Sequence, residues 1–236
     1  MQIFPAIDLR NGQVVRLTQG DYEQMVIYSQ DPVQIAAQFI EQGAQNLHIV
    51  DLDGAKDGRL VNFHSIKKIM AQGGLFVQVG GGIRDEERIR QYLDLGVNRV
   101  ILGTVAVKDF AFLQRMVNKY KEKIAVGVDA KNGFVAINGW QEITDIPSLQ
   151  FCQKLADYGI ETVIYTDIAK DGELAGTNLQ IYDSLRQIDL DIVASGGISF
   201  EDEIVQLKQM DIYAAIVGKA IYTNTLDLGR IIELAK

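Results

Sequence analysis

The stretch Val79-Gly80-Gly81-Gly82-Ile83-Arg84 has a counterpart in the second half of the chain, Ala194-Ser195-Gly196-Gly197-Ile198-Ser199. A second pair follows in step, since Ile101-Leu102-Gly103-Thr104 recurs as Ile216-Val217-Gly218-Lys219. Both pairs are 115 positions apart, from 81 to 196 and from 103 to 218, which indicates an internal repeat. Each copy places glycines after an apolar run and before a helical pattern, where free backbone N–H groups bind anions. Two such loops predict a ligand with two phosphate groups.

Short β-branched apolar runs alternate with amphipathic segments along the whole chain, a pattern typical of β/α units around a parallel sheet. The predicted strands are Ile3–Ile7, Asn46–Val50, Leu75–Val79, Arg99–Leu102, Ile124–Val128, Thr162–Thr166, Asp191–Ala194 and Ala214–Val217. The predicted helices are Pro32–Glu41, Phe63–Ala71, Glu86–Leu95, Phe110–Asn118, Ser148–Tyr158, Leu179–Gln187, Phe200–Lys208 and Leu226–Leu234.

Eight such units predict an α/β fold, a (β/α)8 TIM barrel built from two duplicated half-barrels. The chain has 236 residues, close to the roughly 250 of a typical barrel, and we interpret residues 1–236 as a single domain. No Pro- or Ser-rich linker divides the chain. An open doubly wound sheet is the alternative, although eight units leave no spare elements for its edges or for a second domain.

Composition narrows the class of partner. The formal net charge is −8 and no long cluster of Lys and Arg occurs, which argues against nucleic acid and anionic membranes as partners. The N-terminus lacks a cationic leader and no long apolar run follows, so we expect a soluble, cytoplasmic protein, interpreted as a monomer. Cys152 is predicted to be a packed thiol. Neither His48 nor His64 has other potential metal ligands near it at a suitable spacing, so we expect no metal site.

Two aspartates stand at corresponding strand ends. Asp8 follows the first predicted strand and Asp129 follows the fifth, and strands 1 and 5 lie opposite each other in an eight-stranded barrel. Active sites of such barrels lie at the C-terminal ends of the strands. The two carboxyl groups are therefore candidates for a general acid and a general base. Alternatively, each aspartate caps the loop that follows it.

A further repeated tripeptide follows strands 2 and 6. Lys56-Asp57-Gly58 recurs as Lys170-Asp171-Gly172, 114 positions later, although Asp-Gly by itself is mostly a turn signal. Thr166 adds a hydroxyl group at the end of strand 6. Trp140, the only tryptophan, follows strand 5, where it can either plug the loop or stack on an aromatic ligand.

Together these residues resemble a known family, the phosphoribosylformimino-5-aminoimidazole carboxamide ribotide isomerases of histidine biosynthesis. The resemblance runs from Ile3 to nearly the end of the chain. It is carried by Pro5-Ala6-Ile7-Asp8-Leu9, Val15-Arg16-Leu17-Thr18-Gln19-Gly20-Asp21, Val50-Asp51-Leu52-Asp53-Gly54-Ala55, Gly80-Gly81-Gly82-Ile83-Arg84, Thr166-Asp167-Ile168, Asp171-Gly172, Ser195-Gly196-Gly197 and Gly218-Lys219-Ala220.

The resemblance implies an Amadori rearrangement, in which a phosphorylated aminoaldose becomes the aminoketose without a cofactor. Asp8 would act as the general base on the sugar C2 proton and Asp129 as the general acid that assists ring opening, with Asp171 as a second candidate for the acid. The expected substrate contacts, phosphate loops included, are Arg16, Gly81, Gly82, Arg84, Gly103, Thr104, Trp140, Thr166, Asp171, Gly172, Gly176, Ser195, Gly196, Gly197, Gly218 and Lys219.

Three alternatives remain open at this stage. The first is the sister cyclase of the same pathway, whose first strand characteristically carries Cys-Leu-Asp where this chain has Ala6-Ile7-Asp8. The second is a bifunctional isomerase that also acts on phosphoribosylanthranilate in tryptophan biosynthesis. The third is a phosphate-binding module without catalytic activity.

Overall fold

Eight parallel strands form a closed barrel in the computed structural model, which describes residues 1–236. Strands 1 to 8 of the barrel are Gln2–Arg10, Asn46–Asp51, Phe76–Gly80, Arg99–Leu102, Ile124–Lys131, Thr162–Asp167, Asp191–Ser195 and Ala214–Val217. Each strand pairs in parallel with the next, and strand 8 pairs with strand 1. The predicted barrel is confirmed, and the open sheet is wrong because the eight parallel strands close on themselves.

Helices alternate with the strands and cover the outside of the barrel, as predicted. The main helices are Pro32–Glu41, Phe63–Met70, Glu86–Asp94, Phe110–Tyr120, Ser148–Asp157, Leu179–Leu185, Glu201–Gln209 and Leu228–Ala235. Capping side chains help to start these helices. The Asp31 side chain, for example, accepts hydrogen bonds from two backbone N–H groups just after Pro32. None of the helices is both long and apolar enough to cross a membrane.

Two antiparallel hairpins were not predicted. Strand 1 continues to Arg10 and pairs with a hairpin of Gln13–Thr18 and Asp21–Ser29, while strand 5 continues to Lys131 and pairs with Phe134–Ile137 and Glu142–Pro147. Both connections to the barrel turn on Asn-Gly, at 11–12 and at 132–133, with positive φ at each position. Asn-Gly is a strong hairpin signal, so the sequence did contain the information. The hairpins place extra chain over the C-terminal end of the barrel.

Shorter elements complete the chain and were also not predicted. They are the helices Leu52–Asp57, Thr104–Lys108 and Lys219–Tyr222 and the 3-10 turn Lys121–Lys123. The three short helices follow strands 2, 4 and 8 directly. They therefore form part of the rim on which the predicted site residues lie.

Apolar side chains fill the space on both sides of the sheet. Fifty buried residues pack between the barrel and its helices, including Cys152, whose pKa is raised to about 12 by burial. Eight more fill the barrel interior: Phe4, Ala6, Ile101, Ala125, Ile164, Val193, Ala214 and Ile216. The barrel is thus a packed core below its mouth. The single-domain interpretation stays a prediction, and the pairing of the first strand with the last is consistent with it.

Candidate active site

A cavity of about 420 Å³ opens at the C-terminal ends of the barrel strands, a size suited to a small-molecule ligand. All but one of the predicted site residues line it: Asp8, Arg16, Gly81, Gly82, Arg84, Gly103, Thr104, Asp129, Trp140, Thr166, Asp171, Gly172, Ser195, Gly196, Gly197, Gly218 and Lys219. A smaller cavity of about 140 Å³ lies around Met210 and Tyr213, beside the N-terminal ends of strands 7 and 8.

Gly176 is the predicted site residue that does not line the cavity. It is buried behind the loop after strand 7, where a Cβ would lie 2.8 Å from Glu203 Oε1. Its carbonyl oxygen lies close to Gly197, 2.8 Å from the position of a Cβ there. Gly176 therefore packs behind Gly197, which does line the cavity.

The two glycine loops have the same backbone conformation. Gly81 and Gly82 have φ of 107° and 71°, and Gly196 and Gly197 have φ of 94° and 82°. A Cβ on Gly81 would clash with the backbone of Asp51, and one on Gly196 would lie 2.6 Å from the backbone oxygen of Asp167. Glycine is required at these positions by the positive φ and by the close approach of the neighbouring strand end.

An Asp–Asn pair lies beneath each glycine loop. Asn62 Nδ2 donates to Asp51 Oδ1 at 2.7 Å, and Asn178 Nδ2 donates to Asp167 Oδ2 at 2.8 Å. The two aspartates are 116 positions apart in the sequence, and so are the two asparagines. These pairs were not predicted, although their shared interval was available as a signal.

The second pair of glycines, Gly103 and Gly218, also match in conformation. Their φ and ψ are −100° and −105° in the first and −114° and −101° in the second, and each precedes one of the short rim helices. Their surroundings differ, because the Arg16 guanidinium group fills the space directly beside Gly218, whereas Gly103 has open space at the corresponding point. The first rim is therefore open, and the second already holds a cation.

Three carboxyl groups share the cavity. Asp8 Oδ2 forms an ion pair with Arg16 Nη1 at 2.6 Å. Burial raises the pKa of Asp129, against the opposing effect of hydrogen bonds from Trp140 and Thr166. For Asp171, burial together with the nearby charges of Asp8 and Asp129 raises the pKa to about 6, despite the cations Arg16 and Lys219. Burial thus favours the protonated form of two of these carboxyl groups, Asp129 and Asp171.

The loop that carries Asp171 is held over the cavity from two sides. Gln19 N, at the tip of the first hairpin, donates to the Asp171 backbone oxygen at 3.2 Å. Lys219 Nζ, from the rim after strand 8, donates to the Gly172 oxygen at 2.6 Å. Because a Cβ on Gly172 would lie 2.9 Å from Leu17 O, the hairpin and the loop pack closely. These contacts fix the position of the Asp171 carboxyl group.

Trp140 and Arg84 form further parts of the rim. Trp140 has a φ of 69° and its ring packs on Gly20 of the first hairpin while it lines the cavity. Arg84 Nη2 donates to Ala55 O at 3.0 Å across the first glycine loop. The two side chains therefore border the cavity at separate points.

His48 is one of the cavity-lining residues that were not predicted as site residues. In the sequence His48 was a candidate only for metal binding. In the structure it lines the cavity with 8% of its surface exposed. Burial and the nearby Arg16 and Arg99 lower its pKa to about 3. The alternation along strand 2 was the available sequence signal, because His48 and Val50 share the inward face and both line the cavity. No cluster of three or more His, Cys, Asp or Glu side chains is arranged to hold a metal ion.

Comparisons with known proteins give the family. The model of the family described as "Histidine biosynthesis protein" matches residues 2–227. The chain is 54% identical over 237 residues to a protein of Brachyspira hyodysenteriae, covering 100% of both chains. It is 50% identical to one of Campylobacter concisus, covering 97% of each chain, and 48% identical to one of Oceanobacillus iheyensis, covering 99% of this chain and 98% of the relative.

All three relatives carry the same name, 1-(5-phosphoribosyl)-5-((5-phosphoribosylamino)methylideneamino) imidazole-4-carboxamide isomerase. The similarity extends over essentially the entire chain and includes both glycine loops and the strand ends described above. The chain belongs to the histidine biosynthesis protein family.

Proposed function

We propose that this protein is the isomerase that its relatives are named for, an enzyme that converts the phosphoribosylformimino aminoaldose ribotide to its aminoketose. The observation that carries the proposal is one cavity with a glycine loop on each side and carboxyl groups between them. The substrate in the relatives' name has two phosphoribosyl groups, which matches two anion sites on opposite rims. The cyclase alternative is not favoured, because these relatives are named as isomerases.

The two rims bind the two phosphates through backbone N–H groups. The loop at Gly81 and Gly82, with Gly103, forms one anion site, and the loop at Gly196 and Gly197, with Gly218, forms the other. The protein as a whole is acidic, so the anion is held by local groups rather than by the overall field. Arg16 beside Gly218 supplies a cation at the second site.

The chemistry needs one proton acceptor and one proton donor. A proton delivered to the ribose ring oxygen breaks its bond to C1 and opens the ring to a protonated imine. Removal of the C2 proton then gives an enaminol, which gains a proton at C1 and loses the proton of its C2 hydroxyl group to give the aminoketose. Hydrogen is redistributed within the substrate, so no oxidant or cofactor is needed. Asp8 serves as the base at C2, since its carboxylate is paired with Arg16 at the cavity wall.

The acid is one of two carboxyl groups, Asp129 or Asp171. Asp171 fits this role better, because a pKa of about 6 keeps roughly a tenth of this carboxyl group protonated at pH 7. Burial also raises the pKa of Asp129, but hydrogen bonds from Trp140 and Thr166 favour its ionised form and partly offset that effect. We therefore assign the acid to Asp171, with Asp129 as the alternative expected from the sequence.

A conversion assay with purified enzyme and the ribotide, without any added cofactor, tests the proposed function. We expect full conversion to the aminoketose, and no product would overturn the proposal. Phosphoribosylanthranilate in the same assay tests the bifunctional alternative, which a comparable turnover would favour. A folded Asp8→Asn variant that binds the ribotide supplies the blank, and equal activity in that variant would contradict the assigned base.

The remaining sequence-based expectations are part of the same proposal. A monomer located in the cytoplasm, with no nucleic-acid or membrane partner, accords with the negative charge. The duplication of the half-barrels is supported by the matching glycine loops and Asp–Asn pairs. Crystals grown in phosphate test the duplicated anion sites, and occupancy of only one rim at saturation would count against them.

A further inference from the structure

A row of buried polar side chains crosses the barrel interior below the cavity. His48 of strand 2 is in register with Gln78 of strand 3, and Gln78 is in register with Arg99 of strand 4. The exposed fractions are 8% for His48, 0% for Gln78 and 3% for Arg99. His48 alone of the three lines the cavity, so the row connects the buried interior to the site.

Arg99 is a buried cation that forms no ion pair, and Asp191 is a carboxylate whose charge acts on it from beyond contact distance. Its guanidinium group lies 5.9 Å from the ring centre of Phe4 and 5.3 Å from that of Phe76, and Nη1 donates to Thr162 Oγ1 at 3.0 Å. A buried charge without a carboxylate in direct contact is costly to the fold. Packing alone therefore does not explain an arginine at this position. Its hydrogen bonds do.

The hydrogen bonds of the row have only one possible direction. Arg99 Nε and Nη2 lie 3.1 Å and 2.7 Å from Gln78 Oε1, and a guanidinium group can only donate. The Gln78 amide oxygen must therefore face Arg99, and its NH2 group must face His48. Gln78 Nε2 lies 3.0 Å from His48 Nδ1 and donates to it. His48 Nδ1 is then an acceptor, which leaves the imidazole proton on Nε2.

We infer that Arg99 and Gln78 are positioning residues that hold His48 as a neutral imidazole with its Nε2–H directed at the substrate. The Nε2 atom has no hydrogen-bond partner in the protein, and the side chain borders the cavity. His48 is in register with Ala6, two residues before Asp8, so it lies at the cavity floor one layer below the base. This inference rests on the proposed function, in which the middle of the substrate lies over that floor.

The group that His48 would contact is an oxygen of the ribose that is being opened. A neutral donor stabilises partial negative charge on such an oxygen without transferring a proton to it. A protonated imidazole would instead compete with Asp171 as an acid. The row thus fixes both the direction of the hydrogen bond and the charge of its donor.

The tautomer of His48 is directly measurable, because the chain has only two histidines. Long-range ¹H–¹⁵N NMR correlations on ¹⁵N-histidine-labelled enzyme should show a single Nε2–H tautomer for His48 at neutral pH. The exposed His64 gives the reference signal of a histidine without a fixed partner. A protonated Nδ1 on His48, or an averaged pattern like that of His64, would overturn the inference without any variant.

Gln78→Glu reverses the hydrogen bond at constant size. The carboxylate would accept from Arg99 and also from His48, which moves the imidazole proton to Nδ1 and removes the donor from the cavity. We expect the NMR pattern to switch and kcat to fall about 10-fold to 100-fold, with a smaller change in KM. A switched tautomer with unchanged kcat would overturn the substrate contact.

A second pair of variants covers a Gln78→Glu protein that does not fold. His48→Gln keeps an amide N–H near the position of Nε2, whereas His48→Leu has no donor. We expect His48→Gln to retain at least about 10-fold more activity than His48→Leu, and equal activity would contradict the inference. A wild-type enzyme with the expected tautomer but no conversion of the ribotide would remove the proposed function and leave the tautomer assignment intact.

Discussion

The tripeptides Lys56-Asp57-Gly58 and Lys170-Asp171-Gly172 have the same sequence but reach different environments. Asp57 lies on the rim surface, paired with Arg59 at 2.8 Å and Arg10 at 3.2 Å, and these partners lower its pKa. Asp171 lines the cavity, and burial with two neighbouring carboxylates raises its pKa to about 6. One carboxylate stabilises the surface, and the other is available for catalysis.

The difference comes from how many residues precede each tripeptide. Asp57 is the sixth residue after Asp51, and the intervening chain forms a helix, Leu52–Asp57, that carries it away from the mouth. Asp171 is the fourth residue after Asp167, and that loop makes turns without a helix. A difference of two residues in loop length therefore places Asp57 in a surface ion pair and Asp171 in the cavity.

The residue that truly corresponds to Asp171 is Ala55, on the first rim. A Cβ on Gly82 would clash with Gly54, and one on Gly197 would lie 2.7 Å from Lys170 O, so Gly54 and Lys170 occupy equivalent positions. The next residues, Ala55 and Asp171, both line the cavity, but only the second carries a charge. The halves thus share the glycine loops, while the second half adds a carboxyl group to the cavity.

Asp8→Asn should have the largest effect on activity, because it removes the base and leaves Arg16 without its partner. We expect kcat to fall by about 10²–10⁴-fold, roughly 3–5 kcal/mol of barrier. Steady-state kinetics of the ribotide conversion, with circular dichroism to confirm the fold, measure it. Turnover close to that of the wild type in a folded variant would exclude Asp8 as the base.

Asp171→Asn and Asp57→Asn should separate the two tripeptides. We expect about a 10²-fold loss of kcat for Asp171→Asn, and less than about twofold for the matched surface variant. A donor must be protonated, so kcat/KM of the wild type should fall as pH rises through about 6, and Asp171→Asn should lack that fall. If Asp129→Asn abolishes the fall instead, the acid is Asp129.

The barrel and its strand ends were predictable because periodicity and the glycine loops are local signals. The eight main helices agree with prediction to within two residues at each end, and the predicted pair Asp8 and Asp129 lines one cavity together with Asp171. The tripeptide match could not distinguish Asp57 from Asp171, because loop geometry depends on tertiary contacts such as Lys219 to Gly172. The role of His48 was equally hidden, since it depends on Gln78 and Arg99 from strands distant in sequence.

Asp171→Asn and Asp57→Asn should change the stability of the fold in opposite directions. The folded-state pKa of Asp171 is raised from 3.8 to about 6, so the folded protein must give up a proton unfavourably as pH rises through this window. Asp171→Asn should therefore be more stable than the wild type by about 3 kcal/mol at pH 8, and this difference should become small at pH 4 and below. Asp57→Asn should be slightly less stable at neutral pH, because a lowered pKa stabilises the fold there.

Urea denaturation at pH 4 and pH 8 measures both differences. Phosphate is left out of the buffers, since an anion bound to the rims would stabilise the folded state by itself. A wild type more stable than Asp171→Asn at pH 8 would mean that the carboxylate is well compensated in the cavity. The contrast between the two tripeptides would then be one of location only.

The smallest effects are expected at the glycine loops, where the two rims are alike. Gly82→Ala and Gly197→Ala should each raise KM about 10-fold, because a Cβ pushes the loop off the backbone behind it and displaces the N–H groups that bind phosphate. Gly43→Ala is the matched control, since it also has positive φ, 93°, but no atom within 4 Å of a Cβ. Equal effects at both rims would mean that the two phosphates are held equally. A much larger effect at Gly197 would mean that the second rim, with Arg16 beside Gly218, contributes most of the binding energy, so that the halves differ in affinity as well as in chemistry.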